Sequence, residues 1–284
     1  MKVLVTGATG NVGGHVVRAL VRRKMPVRAF VRDPGKAARM FGPEVEVASG
    51  DLAAALAGTD RLFLACGNTE GQIEYECAVI DAAAAAGITR VVKLSGPDAS
   101  AGSPLIFERW HAAIEQHLDA SGLPRVLLRP RTYMTNLLAY ARTVAQSGML
   151  FAPAGRARIS FVDPRDVADA AVECLVGAGH VGRAYTLTGP EAVTFEGVAR
   201  ELSAATGRPV GYVDVSDADA VRAMIADGLP PMLADAIVAI FASQRAGGMA
   251  GATDDIRDLT GREPRTIARF AADHAGMFAP VAAH

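Results

Sequence analysis

The chain has little cysteine. Cys66, Cys77 and Cys174 are its 3 cysteines in 284 residues, scattered without close spacing. They form no disulfide framework, CxxC pair or zinc ribbon, and read as reduced thiols of a cytoplasmic protein. Neither charge sign is in excess: 29 Lys and Arg face 30 Asp and Glu, a formal net charge of -1. Without a basic excess nothing neutralises a run of phosphates, which argues against nucleic acid as a direct partner. No run of about 18 apolar residues occurs, so no membrane-spanning helix is expected. The opening residues reach Gly7 within one short apolar run and read as a first strand, not as a signal peptide. His111 and His117 point to different faces of one helix, so no metal is expected. There is no linker-like Ser/Pro/Gly tract and no internal repeat.

What remains is a globular composition, 50% hydrophobic and 21% charged, with ample chain to bury a core. The first half alternates β-rich and helical stretches. Strands are expected at Lys2 to Thr6, Val27 to Val31, Val45 to Ala48, Arg61 to Ala65, Arg90 to Leu94 and Arg125 to Leu128. Helices are expected at Asn11 to Lys24, Gln72 to Ala86 and Leu105 to Ala120. Several strands are nearly continuous apolar runs, as when helices cover both faces of a parallel sheet. The fold class is therefore α/β: a Rossmann-type, doubly wound parallel sheet. The second half is mixed, with helices at Asp166 to Val176 and Thr194 to Thr206. Strands are expected there at Ala184 to Leu187 and Val210 to Val213, and mostly helix from Ser216 on. Residues 1–148 are expected to form the nucleotide-binding domain. Residues 149–284 are expected to form a smaller, mixed, mostly helical lobe, partly interleaved with the first.

The strongest motif is Gly7-Ala8-Thr9-Gly10-Asn11-Val12-Gly13, which follows a strand and opens a helix. Gly7 permits a tight turn, Gly10 lets backbone approach a pyrophosphate, and Gly13 lets helix and strand pack closely. The helix N-terminus offers unpaired N–H groups to phosphate, and Thr9 and Asn11 add side-chain donors. No Lys-Ser/Thr follows the glycines, which excludes a P-loop. The reading is a dinucleotide site. At the tip of the second strand stands Arg32, suited to the 2′-phosphate of NADP(H), with Lys36 as a helper. Asp33 is either the carboxylate that an NAD ribose would need or, the better reading before Pro34, a helix N-cap. Asp51 and Leu52 follow the third strand. There Asp51 either accepts from the adenine amino group or caps the next helix. Ala65, Cys66 and Gly67 follow the fourth strand and are expected to line the cofactor crevice. Arg18, Arg22, Arg23 and Lys24 read as a solvated helix end, where cations complement the dipole.

The glycine turn, Val31-Arg32-Asp33-Pro34, Ser49-Gly50-Asp51, Val91-Val92-Lys93-Leu94-Ser95-Gly96, Leu128-Arg129-Pro130 and Leu259-Thr260-Gly261-Arg262-Glu263-Pro264 together resemble the NmrA-like family. These are atypical members of the short-chain dehydrogenase superfamily, and the resemblance spans nearly the whole chain. It implies NADP(H) as cofactor. It also implies one of several roles: a reductase of quinone, enone or azo acceptors, a dedicated biosynthetic reductase, or a non-catalytic redox sensor. Ordinary members use a serine with a Tyr-x-x-x-Lys helix motif. Here the resemblance places Ser95 at the serine, Phe107 at the tyrosine and His111 at the lysine. His111 then either binds the nicotinamide ribose or acts as a general acid; otherwise it bonds Glu115 or Glu108 on its own helix. Tyr133, after Pro130 and the sixth strand, is expected to reach the substrate. Tyr133, Met134 and residues near Phe161 and Phe241 are expected to line an apolar pocket for a small molecule. A homodimer or a regulatory protein partner is left open.

Overall fold

The computed structural model describes residues 1–280. In chain order, residues 1–130 form β1 (Val3–Val5), α1 (Gly13–Arg22), β2 (Val27–Phe30), α2 (Pro34–Phe41), β3 (Glu46–Ala48), α3 (Leu52–Leu56), β4 (Arg61–Leu64), α4 (Gln72–Ala85), β5 (Arg90–Leu94), α5 (Ile106–Ala120) and β6 (Arg125–Pro130). Residues 131–163 form β7 (Thr132–Tyr133), a 3₁₀ helix (Met134–Tyr140), α6 (Ala141–Ser147), β8 (Met149–Ala152) and β9 (Phe161–Val162). Then come α7 (Pro164–Val176), β10 (Ala184–Leu187), α8 (Phe195–Thr206), β11 (Gly211–Asp214), α9 (Asp217–Ala226), α10 (Pro231–Arg245), α11 (Asp255–Thr260), α12 (Ile267–Asp273) and α13 (Ala275–Phe278).

The chain divides into two compact units. The first comprises Met1–Pro130, Pro164–Leu187 and Asp255–Arg262; the second comprises Arg131–Asp163, Thr188–Asp254 and Glu263–His284. The interleaving is thus deep: α7, β10 and α11 return to the first unit, and residues 131–148 belong to the second.

The first unit is built on a seven-stranded sheet in the order β10-β6-β5-β4-β1-β2-β3. Every neighbouring pair is parallel. The expected α/β doubly wound class is what the chain adopts. All seven strands fall on expected runs; β10, expected at Ala184 to Leu187, joins this sheet beside β6 through Ala184↔Leu127 and Leu187↔Pro130. Strand order reverses between β4 and β1, the switch point where ligands of such sheets bind. One core cluster, around Leu62, Leu64, Ile80, Val91 and Ile114, lies between strands and helices. Helix α1 starts at Gly13, not Asn11, and stops at Arg22, with Lys24 left-handed at φ 56°. Its basic end is not merely solvated. Arg23 pairs with Glu173, and Arg22 with Asp169, both on α7.

The second unit holds two parallel two-stranded pairs, β8 with β11 and β7 with β9. Its core includes Met134, Leu150, Phe161, Phe195, Phe270 and Phe278. Phe195 meets Phe161 edge-on at 6.1 Å and Tyr140 at 5.9 Å. Met134 and Phe161 are core residues of this unit, both almost wholly buried. Phe241 packs against the same core. Among the described residues no helix is long and apolar enough to cross a membrane.

Candidate functional site

Because the seven strands run parallel, the segments that follow them emerge at one edge. The turn after β1 is fixed by backbone contacts. Gly7 is left-handed at φ 58°, and a Cβ there would lie 2.9 Å from the Ala65 carbonyl oxygen. A Cβ on Gly13 would lie 2.3 Å from the Gly7 carbonyl oxygen, well inside van der Waals contact. The Gly10 N–H donates to that same carbonyl at 2.9 Å. Thr6 ties this turn to the end of β4: its hydroxyl donates to the Ala65 carbonyl at 3.0 Å and accepts from the Ala65 N–H at 2.8 Å. Gly7, Gly10 and Asn11 remain exposed, whereas Val12 and Gly13 are buried. Helix α1 has no side-chain cap and no acidic residue in its first turn. Its positive end is open to an anion.

At the tip of β2 the Asp33 carboxylate accepts from the Lys36 N–H at 2.9 Å and caps α2, with Pro34 in the first turn. Asp33 is thereby used by the fold, as its place before proline predicts. Arg32 and Lys36 are exposed, and their side chains bond to none of the described residues. Asp51 caps α3, one carboxylate oxygen accepting from Ala53 and Ala54 at 2.9 and 3.1 Å. Of its two sequence readings, the structure displays the cap; Leu52 is the first residue of that helix. Ala65 is buried, Gly67 exposed, and Cys66 lies between. Burial pushes the Cys66 thiol up, so it is no thiolate at neutral pH.

The ends of β5 and β6 carry a network of buried charge. Lys93 and Glu76 are both fully buried and pair at 2.5 Å. Lys2, Lys24, Lys36 and Lys93 are the chain's lysines, and Lys93 alone of these is fully buried. Gln72 donates to the other Glu76 oxygen at 2.9 Å. That bond requires the amide nitrogen on the Glu76 side and leaves Gln72 Oε1 buried without a partner. His111, on α5, places Nδ1 3.4 Å from Lys93 Nζ. Its ring lies on Gly96, where a Cβ would come within 2.7 Å of His111 Cδ2. Burial, and then the Lys93 cation, hold the imidazole well below its ordinary pKa of 6.5.

The helix neighbours of His111 have other engagements. Glu115 accepts from Ser95 Oγ at 2.6 Å and is forked by Arg129. Glu108 accepts from Ser103 at 2.5 Å. The Ser95 hydroxyl proton is thus directed at a carboxylate. Pro130, the last residue of β6, pairs with Leu187. Tyr133 belongs to β7 of the second unit, where it pairs with Val162, and burial pushes its phenol upward. Gln72, Glu76 and Lys93 went unread in the sequence. The signal was there: a lysine inside the apolar strand Arg90-Val91-Val92-Lys93-Leu94 of a parallel sheet must find a buried carboxylate.

The fold and this edge define a doubly wound α/β protein with a glycine turn and an uncapped helix N-terminus at the switch point. Comparison narrows the class. The chain belongs to the NmrA-like family, whose model matches residues 1–269. It is 38% identical over 282 residues to an NAD(P)H azoreductase of Xenophilus azovorans, covering 97% of this chain and 99% of that one. It is 40% identical over 289 residues to a (4-alkanoyl-5-oxo-2,5-dihydrofuran-3-yl)methyl phosphate reductase of Streptomyces griseus, covering 98% and 99%. Among solved structures, the NADPH-dependent quinone oxidoreductase of Escherichia coli in complex with NADPH superposes with a TM-score of 0.87. It shares 31% identity and covers 95% of this chain and 99% of that one.

Proposed function

We propose that this protein is an NADP(H)-dependent reductase that passes hydride to a small quinone, azo or enone acceptor. One observation carries the cofactor. The uncapped N-terminus of α1, behind a turn that only glycine fits, stands on the sheet edge that also bears Arg32, whose side chain bonds to none of the described residues. Gly7, Thr9, Gly10, Asn11, Val12 and Gly13 would hold the pyrophosphate, and Arg32 with Lys36 the 2′-phosphate. Asp51 and Leu52 would flank the adenine, and Ala65, Cys66 and Gly67 the crevice. Ser95, His111 and Pro130 would stand at the nicotinamide end. The names of the azoreductase, the phosphate reductase and the quinone oxidoreductase support the reaction.

When bound, the reduced nicotinamide supplies the hydride. The chain's own residues then set what kind of acceptor is served. Phe107 occupies the place of the family tyrosine and has no proton to give. Ser95 directs its proton at Glu115. His111 is neutral at pH 7, so it donates a hydrogen bond without delivering a proton from an imidazolium. Such a site suits acceptors whose reduced form takes its protons from water. A quinone does so, because its reduced oxygens are weakly basic. Tyr133 is the further residue assigned to the acceptor, as a protonated phenol. This reading requires a small-molecule partner and no second protein chain.

The Streptomyces relative favours a second reading, a single dedicated acceptor of the phosphorylated dihydrofuranone type. The test is NADPH oxidation by the purified protein across quinones, azo dyes and unsaturated furanones. Turnover on the first two supports the general reductase, and turnover on furanones alone supports the dedicated one. Tight NADPH binding with no turnover on any acceptor would reverse the enzymatic reading and leave a cofactor-binding sensor.

A further inference from the structure

Lys93 has three ammonium protons, and three acceptors surround them. Glu76 Oε2 lies at 2.5 Å, the Leu94 carbonyl at 3.1 Å and His111 Nδ1 at 3.4 Å. The last contact is long, but its direction is fixed by chemistry. An ammonium has no lone pair, so Nδ1 can only accept, and the ring proton of a neutral imidazole must then sit on Nε2. Glu76 is itself held at both oxygens, by Lys93 and by Gln72. Gln72, Glu76, Lys93 and His111 thus form one buried chain that runs from α4 through β5 to α5.

We propose that Lys93, anchored by Glu76, is a positioning residue that fixes His111 as the neutral Nε2–H tautomer. The ring's single donor is then Nε2–H, and the absence of a Cβ at Gly96 leaves room for the ring. The proposal rests on the reading above only in assigning His111 to the nicotinamide end. The charged groups of its own helix at contact spacing are Glu108 and Glu115, and Arg129 of β6 binds Glu115. Glu108 accepts from Ser103, and Glu115 is bound to Ser95 and Arg129. The cation that meets the ring is Lys93. Burial and that cation both keep the imidazole neutral, in agreement with the geometry.

The test is ¹⁵N NMR of histidine-labelled holoprotein, with His111 assigned by its loss in His111→Gln. The expected spectrum has an unprotonated Nδ1 and a protonated Nε2 that hold steady from about pH 5.5 to 8. In Glu76→Leu/Lys93→Met, which removes both charges and leaves no buried ion unpaired, His111 is expected to populate both tautomers and titrate nearer its ordinary value. A wild-type Nδ1–H tautomer, a wild-type titration near 6.5, or a double variant with an unchanged tautomer would each overturn the proposal. If the double variant does not fold, the wild-type spectrum alone decides. Turnover of His111→Gln is a separate measurement. It decides the reading of the reaction, whatever the tautomer proves to be.

Discussion

The two ends of one sheet edge are built in opposite ways. At β1–α1 the shape comes from side chains that are missing: Gly7, Gly10 and Gly13 let backbone meet backbone, and the charge on offer is a helix dipole. At β5–α5 the shape comes from side chains that are buried and ionic: Lys93, Glu76, Glu115 and their partners. The first kind of construction does not titrate. Its weakness is steric, because one added carbon collides with atoms that cannot rotate away. The second kind tolerates changes of shape better than changes of charge, because an ion without its partner in a dry interior costs several kcal/mol.

The sharpest break at the glycine end is Gly13→Ala. Its Cβ would fall 2.3 Å from a backbone oxygen, so the turn must open and the phosphate cradle with it. We expect NADPH affinity to fall by about a hundredfold or more, worth about 3 kcal/mol, as measured by calorimetry. Gly102→Ala is the control: it lies outside the residues assigned to the cofactor, a Cβ there meets nothing within 4 Å, and stability should move by less than about 0.5 kcal/mol. Similar binding by the two variants would end the argument that the cradle is steric.

At the ionic end the corresponding break is Glu76→Leu, which strands a fully buried ammonium. The expected loss is about 3–5 kcal/mol in urea unfolding. Replacing both partners by apolar residues should cost much less, since no charge is left unpaired. A single variant no less stable than the double would show that the pair is not desolvated as the structure has it.

Arg32→Ala tests the principal side-chain charge expected to act at the glycine end, with Lys36 as its helper. Hydrogen bonds to a charged group contribute about 1.5–3 kcal/mol, so NADPH should bind about 10- to 100-fold more weakly while NADH changes little. Asp33, one residue on, should behave differently. Its carboxylate caps α2, so Asp33→Ala should lower stability by about 1 kcal/mol and leave the preference between the cofactors alone. An equal loss for both cofactors in Arg32→Ala would remove that residue from the phosphate.

The same contrast explains what could be read in the sequence. Strands β1 to β6 and the glycine turn were legible because their signals are local: apolar runs, breakers and spacing. So was the Asp33 cap, which needs only the proline beside it. Illegible elements were those set by distant partners. β7 and β9 are two residues each, too short to show any period, and exist because they pair with each other. β10 was legible as a strand, but not as the seventh member of the main sheet. The His111 environment was misjudged for a related reason. Its helix offers Glu115 and Glu108 at contact spacing, yet Ser95, Arg129 and Ser103 engage them. The partner that meets the ring, Lys93, comes from another strand.

The smallest effect separates the two ends by pH. His111 is neutral when folded, because burial and then Lys93 oppose its protonation, and its folded pKa lies well below 6.5. The unfolded chain takes up that proton near 6.5, so below this value it binds more protons than the native state. Stability therefore rises with pH through this window, is fully present above it, and is lost as pH falls toward the folded pKa. For a single group the slope reaches at most about 1.4 kcal/mol per pH unit. His180, whose pKa partial burial also lowers, adds a smaller contribution of the same sign. Urea unfolding between about pH 5 and 7 should show this slope in the native chain and a flatter one in His111→Gln. The Gly13→Ala variant should keep the native slope, because nothing in its altered turn titrates there. A slope that survives the loss of His111 would mean that the imidazole is already charged, or already wet, in the folded protein.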